Sequence, residues 1–240
     1  MEAIVTAKLL ALNRTFYQTL GSSFSQTRQR LQPGVKRILS LVSLKGCILD
    51  LGCANGMLAR ELSHKNQQVD YVGVDLSSPL LEEANTHQTN NIKTTFIQAD
   101  LAAAGWEKLL PHQAYDVIFV FAVFHHLPSE GLRLNVFRTI RQLLTEEGLF
   151  YHSHWQPLNS ARLRGRLQPW QNIGLTLDDV ETGDCLLDWR HGAYGLRYVH
   201  HITPNELAYF AEESRFKVID SFYSDGENNQ LGYYQVWKAD

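Results

Sequence analysis

Cysteine is scarce: Cys47, Cys53 and Cys185 are the only three in 240 residues. They form neither an even disulfide set nor a C-x-x-C metal pair, so a stapled extracellular scaffold is excluded and a reducing compartment is expected. No apolar run reaches the roughly 18–20 residues that a bilayer span requires. The opening stretch Met1–Leu12 is interrupted by Glu2 and Lys8 and lacks a cleavage pattern, so the chain is expected to be soluble and cytoplasmic, without a membrane partner. Positive charge is also short, with 22 Lys and Arg against 25 Asp and Glu, a net charge of −3. That argues against a nucleic-acid binder working through overall charge and leaves only a local basic patch open. There is no internal repeat and no low-complexity tract. What is present, 44% hydrophobic and 20% charged residues, is enough to bury the core of one α/β domain.

After a helical N-terminal segment, short apolar runs alternate with runs of helical period. Cys47–Leu51 is a compact apolar run, Gly52 to Gly56 a tight turn, and Met57–Leu62 a helix: a βα unit. Val69–Asp75 is a second strand, followed by Ser77-Ser78-Pro79, where serine can cap and proline fits the first helical turn. Thr94–Gln98 reads as a third strand, with a helix around Leu101–Leu110. Tyr115–Phe121 reads as a fourth, before helically spaced Leu132, Val136, Ile140 and Leu143, and Leu149–Ser153 as a fifth. The stretch 155–201, rich in Trp, Arg and Gly, has no clean period and is too long for a βα loop, so it is expected to be an insertion carrying specificity. Thr203-Pro204-Asn205-Glu206 has the makings of a capping box. Phe216–Phe222 and Tyr233–Lys238, joined across Asp225-Gly226, read as a closing hairpin whose last strand runs antiparallel to the rest. The expected fold is therefore α/β, a doubly wound, mostly parallel sheet of seven strands.

Such sheets bind ligands beyond the carboxyl ends of their strands. That places Asp50–Gly56, Asp75, Asp100 and Phe121–His126 together. Asp50-Leu51-Gly52-Cys53-Ala54-Asn55-Gly56 has the form D-x-G-x-A-x-G. A dinucleotide fingerprint needs glycine at 54 and 57, where Ala54 and Met57 stand. A carboxylate ahead of the glycines opposes a phosphate and suits a ligand with an amino group and a sulfonium charge. S-adenosylmethionine is such a ligand. Asp75 is placed to accept from two ribose hydroxyls, and Asp100 to face an adenine amino group.

This set, with Phe121-Ala122-Val123-Phe124-His125-His126-Leu127, resembles the class I methyltransferases over about 46–153. Ala54 departs from the family's usual glycine and brings a methyl group near the cofactor. The resemblance implies S-adenosylmethionine as cofactor, bound by Asp50, Gly52, Ala54, Gly56, Asp75, Leu76, Asp100, Leu101, Phe121, Ala122 and His126. The flanks are similar to the tRNA wobble-uridine methyltransferases that esterify 5-carboxymethyluridine. Tyr17, then Phe24-Ser25-Gln26-Thr27-Arg28, Pro33, Val35, Lys36 and Leu39, resemble that family's opening segment. Arg197-Tyr198-Val199-His200 before Glu206-Leu207 resembles its R-Y-x-H segment. The resemblance implies a role for Tyr17 and Arg28 at the methionine end, a tRNA acceptor and a small activator protein as partner. Residues 1–45 then form an N-terminal helical cap, and 155–201 a substrate-side insertion, of a single domain.

Methyl transfer from a sulfonium is an in-line displacement, favoured by holding the acceptor close and collinear in a dry site. A carboxylate acceptor is already ionised at neutral pH and needs no base. It needs cations and donors, for which Arg190, Arg197, Tyr198 and His200 are the candidates. Arg197 and Tyr198 read otherwise as an ion pair and a packed ring. His125 and His126 read first as shaping residues of the fourth strand's loop. His152, His154, His200 and His201 have no established ligand spacing, and no metal is expected. Arg162, Arg164, Arg166 and Trp170 form a basic and aromatic cluster suited to phosphates and a base, set against a solvated face balanced by Asp178, Asp179, Glu181 and Asp184. A small-molecule methyltransferase and a non-catalytic binding protein of the same fold remain as alternatives.

Overall fold

The computed structural model describes residues 1–26, 30–42, 44–65, 69–87, 89, 91–226 and 228–240, with backbone alone for 21–26. Arg28, expected at the cofactor's methionine end, lies outside the described residues, as does Thr27. The helices are α1 (Ala3–Gln26), α2 (Pro33–Leu41), α3 (Met57–His64), α4 (Ser78–Thr86), α5 (Glu130–Leu143), α6 (Ala161–Arg164) and α7 (Pro204–Glu213). The strands are β1 (Gly46–Leu51), β2 (Val69–Asp75), β3 (Lys93–Gln98), β4 (Tyr115–Phe121), β5 (Leu144–Trp155), β6 (Asp184–Trp189), β7 (Gly195–His200), β8 (Phe216–Ser224) and β9 (Gly232–Ala239).

Seven strands make one sheet in the order β3-β2-β1-β4-β5-β9-β8, parallel except for β9, which runs antiparallel to both β5 and β8. The alternating βα rhythm forces this arrangement, because each parallel pair needs a helical crossover and the helices bury both faces of the sheet. One face carries a core of Phe124, Phe137, Phe150, Phe210 and Trp237 under α5 and α7. The other carries Val35, Ile38, Leu58, Leu62 and Tyr151 under α2 and α3. The hairpin at the end places β8 on the sheet's edge. Its pairing with β9 skips between Val218 and Asp220, which bulges the strand at Ile219.

The capping box is present in full: Thr203 Oγ1 accepts from the Glu206 N–H, and Glu206 accepts from the Thr203 N–H. Two local expectations are corrected. Ser77 precedes α4 without a side-chain cap bond, and its N–H goes to Asp75 instead. The helix expected over Leu101–Leu110 is a single 3₁₀ turn at Trp106–Leu109. Asp100 accepts from the Ala102 N–H and Gly105 takes φ +79°, so a local turn outcompetes the helix that the alanines favour. The 155–201 stretch is not shapeless: β6 and β7 pair as a separate antiparallel ribbon, against which α1 packs through Phe16, Leu20 and Trp189.

Candidate functional site

One cavity of about 750 Å³ opens at the carboxyl ends of β1, β2 and β4, within the roughly 300–1,000 Å³ typical of small-molecule sites. Its floor is the turn after β1. The Gly52 and Cys53 N–H groups both donate to the Val74 carbonyl, at 2.7 and 3.0 Å, folding the turn onto the end of β2. Gly52 sits at φ +80°, and a Cβ there would come within 2.2 Å of the Val123 side chain, so glycine is required. Ala54 adopts φ +47° and donates its N–H to Asp75 Oδ2 at 2.9 Å. Gly56, also left-handed at φ +71°, directly precedes α3 and does not line the cavity. Its service is to the turn, since a Cβ would press on Ala84 and Phe96.

Asp75 Oδ1 accepts from the Ser77 N–H at 2.8 Å. Each Asp75 oxygen is thus fixed by a backbone donor, and a carboxylate so fixed can accept in addition from two neighbouring hydroxyls. Asp50 is 4% exposed and accepts a short hydrogen bond from the Tyr71 hydroxyl. Burial pushes the Asp50 carboxyl up to about 7, with Asp75 adding to the rise and the Tyr71 bond opposing it. Burial raises Asp75 as well, against its backbone hydrogen bonds. Asp100, at the end of β3, is held by Arg14 at 2.6 Å. Leu76 and Leu101 stand beside it on the wall, and Phe121, Ala122 and His126 continue the wall along the end of β4. A buried carboxylate and a half-buried one, with no phosphate-cradling glycine nest beside them, fit a ligand that is cationic at one end and carries a diol, the requirement of S-adenosylmethionine.

The roof comes from α1. Leu10, Asn13, Arg14, Tyr17 and Gln18 all line the cavity, and their spacing puts them on one face of the helix. The Tyr17 hydroxyl meets His126 Nε2 at 2.8 Å. Sequence reading anticipated Tyr17 but passed over Asn13 and Arg14; their recurrence at helical period with Tyr17 was the available signal. It also read Asp225 only as a turn residue. Asp225 is buried, accepts from the Gly34 N–H and the Tyr234 hydroxyl, and lines the far end.

Of the four residues expected to handle the acceptor, Arg197 alone lines the cavity. It is 5% exposed, with its guanidinium carbon 4.8 Å from the Trp155 ring, 5.5 Å from Phe16 and 5.6 Å from Trp189. Tyr198 and His200 are turned away, because successive strand side chains point to opposite faces. The Tyr198 hydroxyl donates to Asp184 Oδ1 at 2.7 Å, while His200 lies between Asp184 and Glu206 at 2.6 and 2.7 Å. Arg190 pairs with Asp188 at 2.6 Å outside the cavity. Trp170 is buried against Val5, Leu9 and Tyr198 and Arg166 is held by Asp188, while Arg162 and Arg164 are exposed, so the four do not gather into one basic and aromatic face. His152 Nδ1 and His154 Nε2 share a hydrogen bond of 2.6 Å. No group of three or more metal-ligating side chains converges among the described residues, nor is any helix among them long and apolar enough to cross a membrane.

A family model described as a methyltransferase domain matches residues 24–221. The malonyl-[acyl-carrier protein] O-methyltransferase of Legionella pneumophila is 27% identical over 58% of this chain and 48% of its own length. The ubiquinone biosynthesis O-methyltransferase of Vibrio cholerae is 30% identical over 44% of this chain and 40% of its own. The matched stretch thus spans about half or less of these curated relatives. Among solved structures, a SAM-dependent methyltransferase of Methanosarcina mazei superposes with a TM-score of 0.66 over 87% of this chain and 98% of that one, at 19% identity, which shows the fold. With the family model covering most of its length, and with an acid-lined cavity at the carboxyl ends of the strands, the chain belongs to the methyltransferase-domain family, α/β enzymes whose cofactor is S-adenosylmethionine.

Proposed function

We propose that the chain transfers the methyl group of S-adenosylmethionine to an oxygen of a compact anionic acceptor, a carboxylate foremost, forming a methyl ester. The observation that carries this reading is Arg197, a buried guanidinium facing the same cavity as the acids that suit the cofactor. Three aromatic rings surround it, and in a water-poor wall a guanidinium fixes a carboxylate through paired hydrogen bonds. The name of the Legionella relative gives a malonyl thioester, itself a carboxylate, as that enzyme's substrate.

Bound there, S-adenosylmethionine supplies an electrophilic methyl group on a sulfonium, released as the neutral thioether S-adenosylhomocysteine. Asp75 would hold the ribose diol and Asp50 would face the cationic end. Asp100, Leu76 and Leu101 would border the adenine, with Phe121, Ala122, His126 and Tyr17 closing the methionine side. Arg197 would orient the acceptor carboxylate, which is ionised at neutral pH and needs no base. Helix α1 and the 155–201 segment form the acceptor side of one domain.

A carboxymethyl uridine in tRNA is the second reading, resting on the likeness of the flanks and on the same Arg197. It ranks lower because Trp170 is buried and Arg166 is occupied. The test follows radiolabelled methyl into a malonyl thioester on acyl-carrier protein, a catechol and bulk tRNA. The expected result is base-labile label on the malonyl thioester, lost in Arg197→Ala with cofactor binding kept, and lost in Asp75→Ala with cofactor binding. Label only in tRNA moves the acceptor to the second reading; base-stable label on the catechol removes the carboxylate.

A further inference from the structure

Asparagine is a poor choice for the middle of a helix, yet Asn13 stands in the middle of α1 and is 6% exposed. Its amide is spent on two other segments. Oδ1 accepts from the Tyr198 N–H at 2.8 Å and Nδ2 donates to the Tyr198 carbonyl at 3.0 Å, so the side chain pairs with the open edge of β7 as a neighbouring strand would. Nδ2 also donates to the His126 carbonyl at 3.3 Å. Three of the four hydrogen bonds an asparagine side chain can make are used here.

The residues so joined flank the acceptor end of the cavity. Tyr198 follows Arg197 directly in β7, and His126 carries the ring that meets Tyr17. The contact between α1 and β7 is close elsewhere too, since a Cβ at Gly195 would come within 2.7 Å of Leu20. We infer that Asn13 is a positioning residue: it fixes the register of α1 on β7 and so sets where the Arg197 guanidinium stands in the cavity. The inference rests on the acceptor role proposed for Arg197. Asn13 contributes through Arg197; of the cofactor acids, Asp50 and Asp75 stand on β1 and β2 and take their hydrogen bonds from Tyr71, Ala54 and Ser77, while Asp100 is held by Arg14, the next residue of α1.

Two variants separate this from a merely structural role. Asn13→Asp keeps the size and the acceptor for the Tyr198 N–H but loses both donated bonds; Asn13→Ala loses all three. With S-adenosylhomocysteine as probe, calorimetry is expected to give affinities within about threefold of the parent, while the KM for the labelled acceptor rises at least about tenfold and kcat changes less. In parallel, phenylglyoxal modification of Arg197, followed by peptide mass spectrometry with S-adenosylhomocysteine bound, is expected to quicken by about tenfold in both variants. Cofactor affinity falling by as much as the acceptor KM rises overturns the inference, as does an unchanged KM or an unchanged Arg197 modification rate. If none of the three acceptors takes label, the proposed function fails, and the Arg197 modification rate alone decides for or against Asn13.

Discussion

Asp50 and Asp75 are carboxyls in a place that resists charge. Burial has pushed Asp50 from an ordinary 3.8 up to about 7, so it loses its charge as pH falls through neutrality. A sulfonium ligand needs the ionised form, and its affinity is expected to drop as pH is lowered from about 8 to about 6. Calorimetry across that range checks this, and Asp50→Asn should bind weakly with a flat profile. The same variant should be the more stable protein. A carboxyl whose folded pKa lies above its unfolded value loses stability as pH rises from about 4 to about 7, so thermal unfolding near pH 8 should show Asp50→Asn melting above the parent. Ala54 raises a different question, that of backbone conformation. Its φ of +47° is a conformation glycine adopts freely and alanine at about 1 kcal/mol. Ala54→Gly is expected to recover a good part of that in denaturant melts and to leave the Asp75 hydrogen bond in place.

At the scale of elements, β7 sorts its side chains into two tasks by pleat alone. Arg197 faces the cavity; Tyr198 and His200 face Asp184 and α7. Tyr198→Phe should therefore cost about 1–3 kcal/mol of stability by leaving a buried Asp184 oxygen short of a donor, with cofactor affinity unchanged; loss of affinity would place Tyr198 in the site after all. The clamp from His200 to Glu206 has a pH window. Burial lowers the His200 imidazolium, but its bonds to Asp184 and Glu206 outweigh that and leave it above 6.5. Burial raises Glu206, but the His200 and Thr203 bonds bring it to about 2. The His200 contribution is full below 6.5 and fades as pH climbs through the raised value; that of Glu206 is full above 4.5 and fades toward about 2. The melting-temperature gap between the parent and His200→Gln should be widest between those limits and narrow on the alkaline side. The sequence singles out the R-Y-x-H segment, but its division into two faces was not legible there. The stretch 155–201 gave no strand signal from which the alternation could be counted.

The whole molecule was easiest to read where its period was strong. The strand and turn at Cys47–Gly56 and the acid at Asp75 follow from local pattern and border the cavity, and the capping box at Thr203 follows from local pattern as well. The Arg197 end of the cavity depends on contacts distant in sequence, such as Asn13 with Tyr198, and no local period announces those. The buried histidine pair shows the same limit. Burial lowers His152 well below 6.5, and His154 to about 3, so both rest neutral in the core. Their contribution is present above 6.5 and is lost as pH falls toward about 3, which makes the pair a source of acid unfolding. The bulge at Ile219 has a consequence for crowded solutions. A strand docking from another chain would lose register halfway along β8, with the Lys217 and Asp220 charges on either side, so this edge of the sheet is a poor template for a further strand.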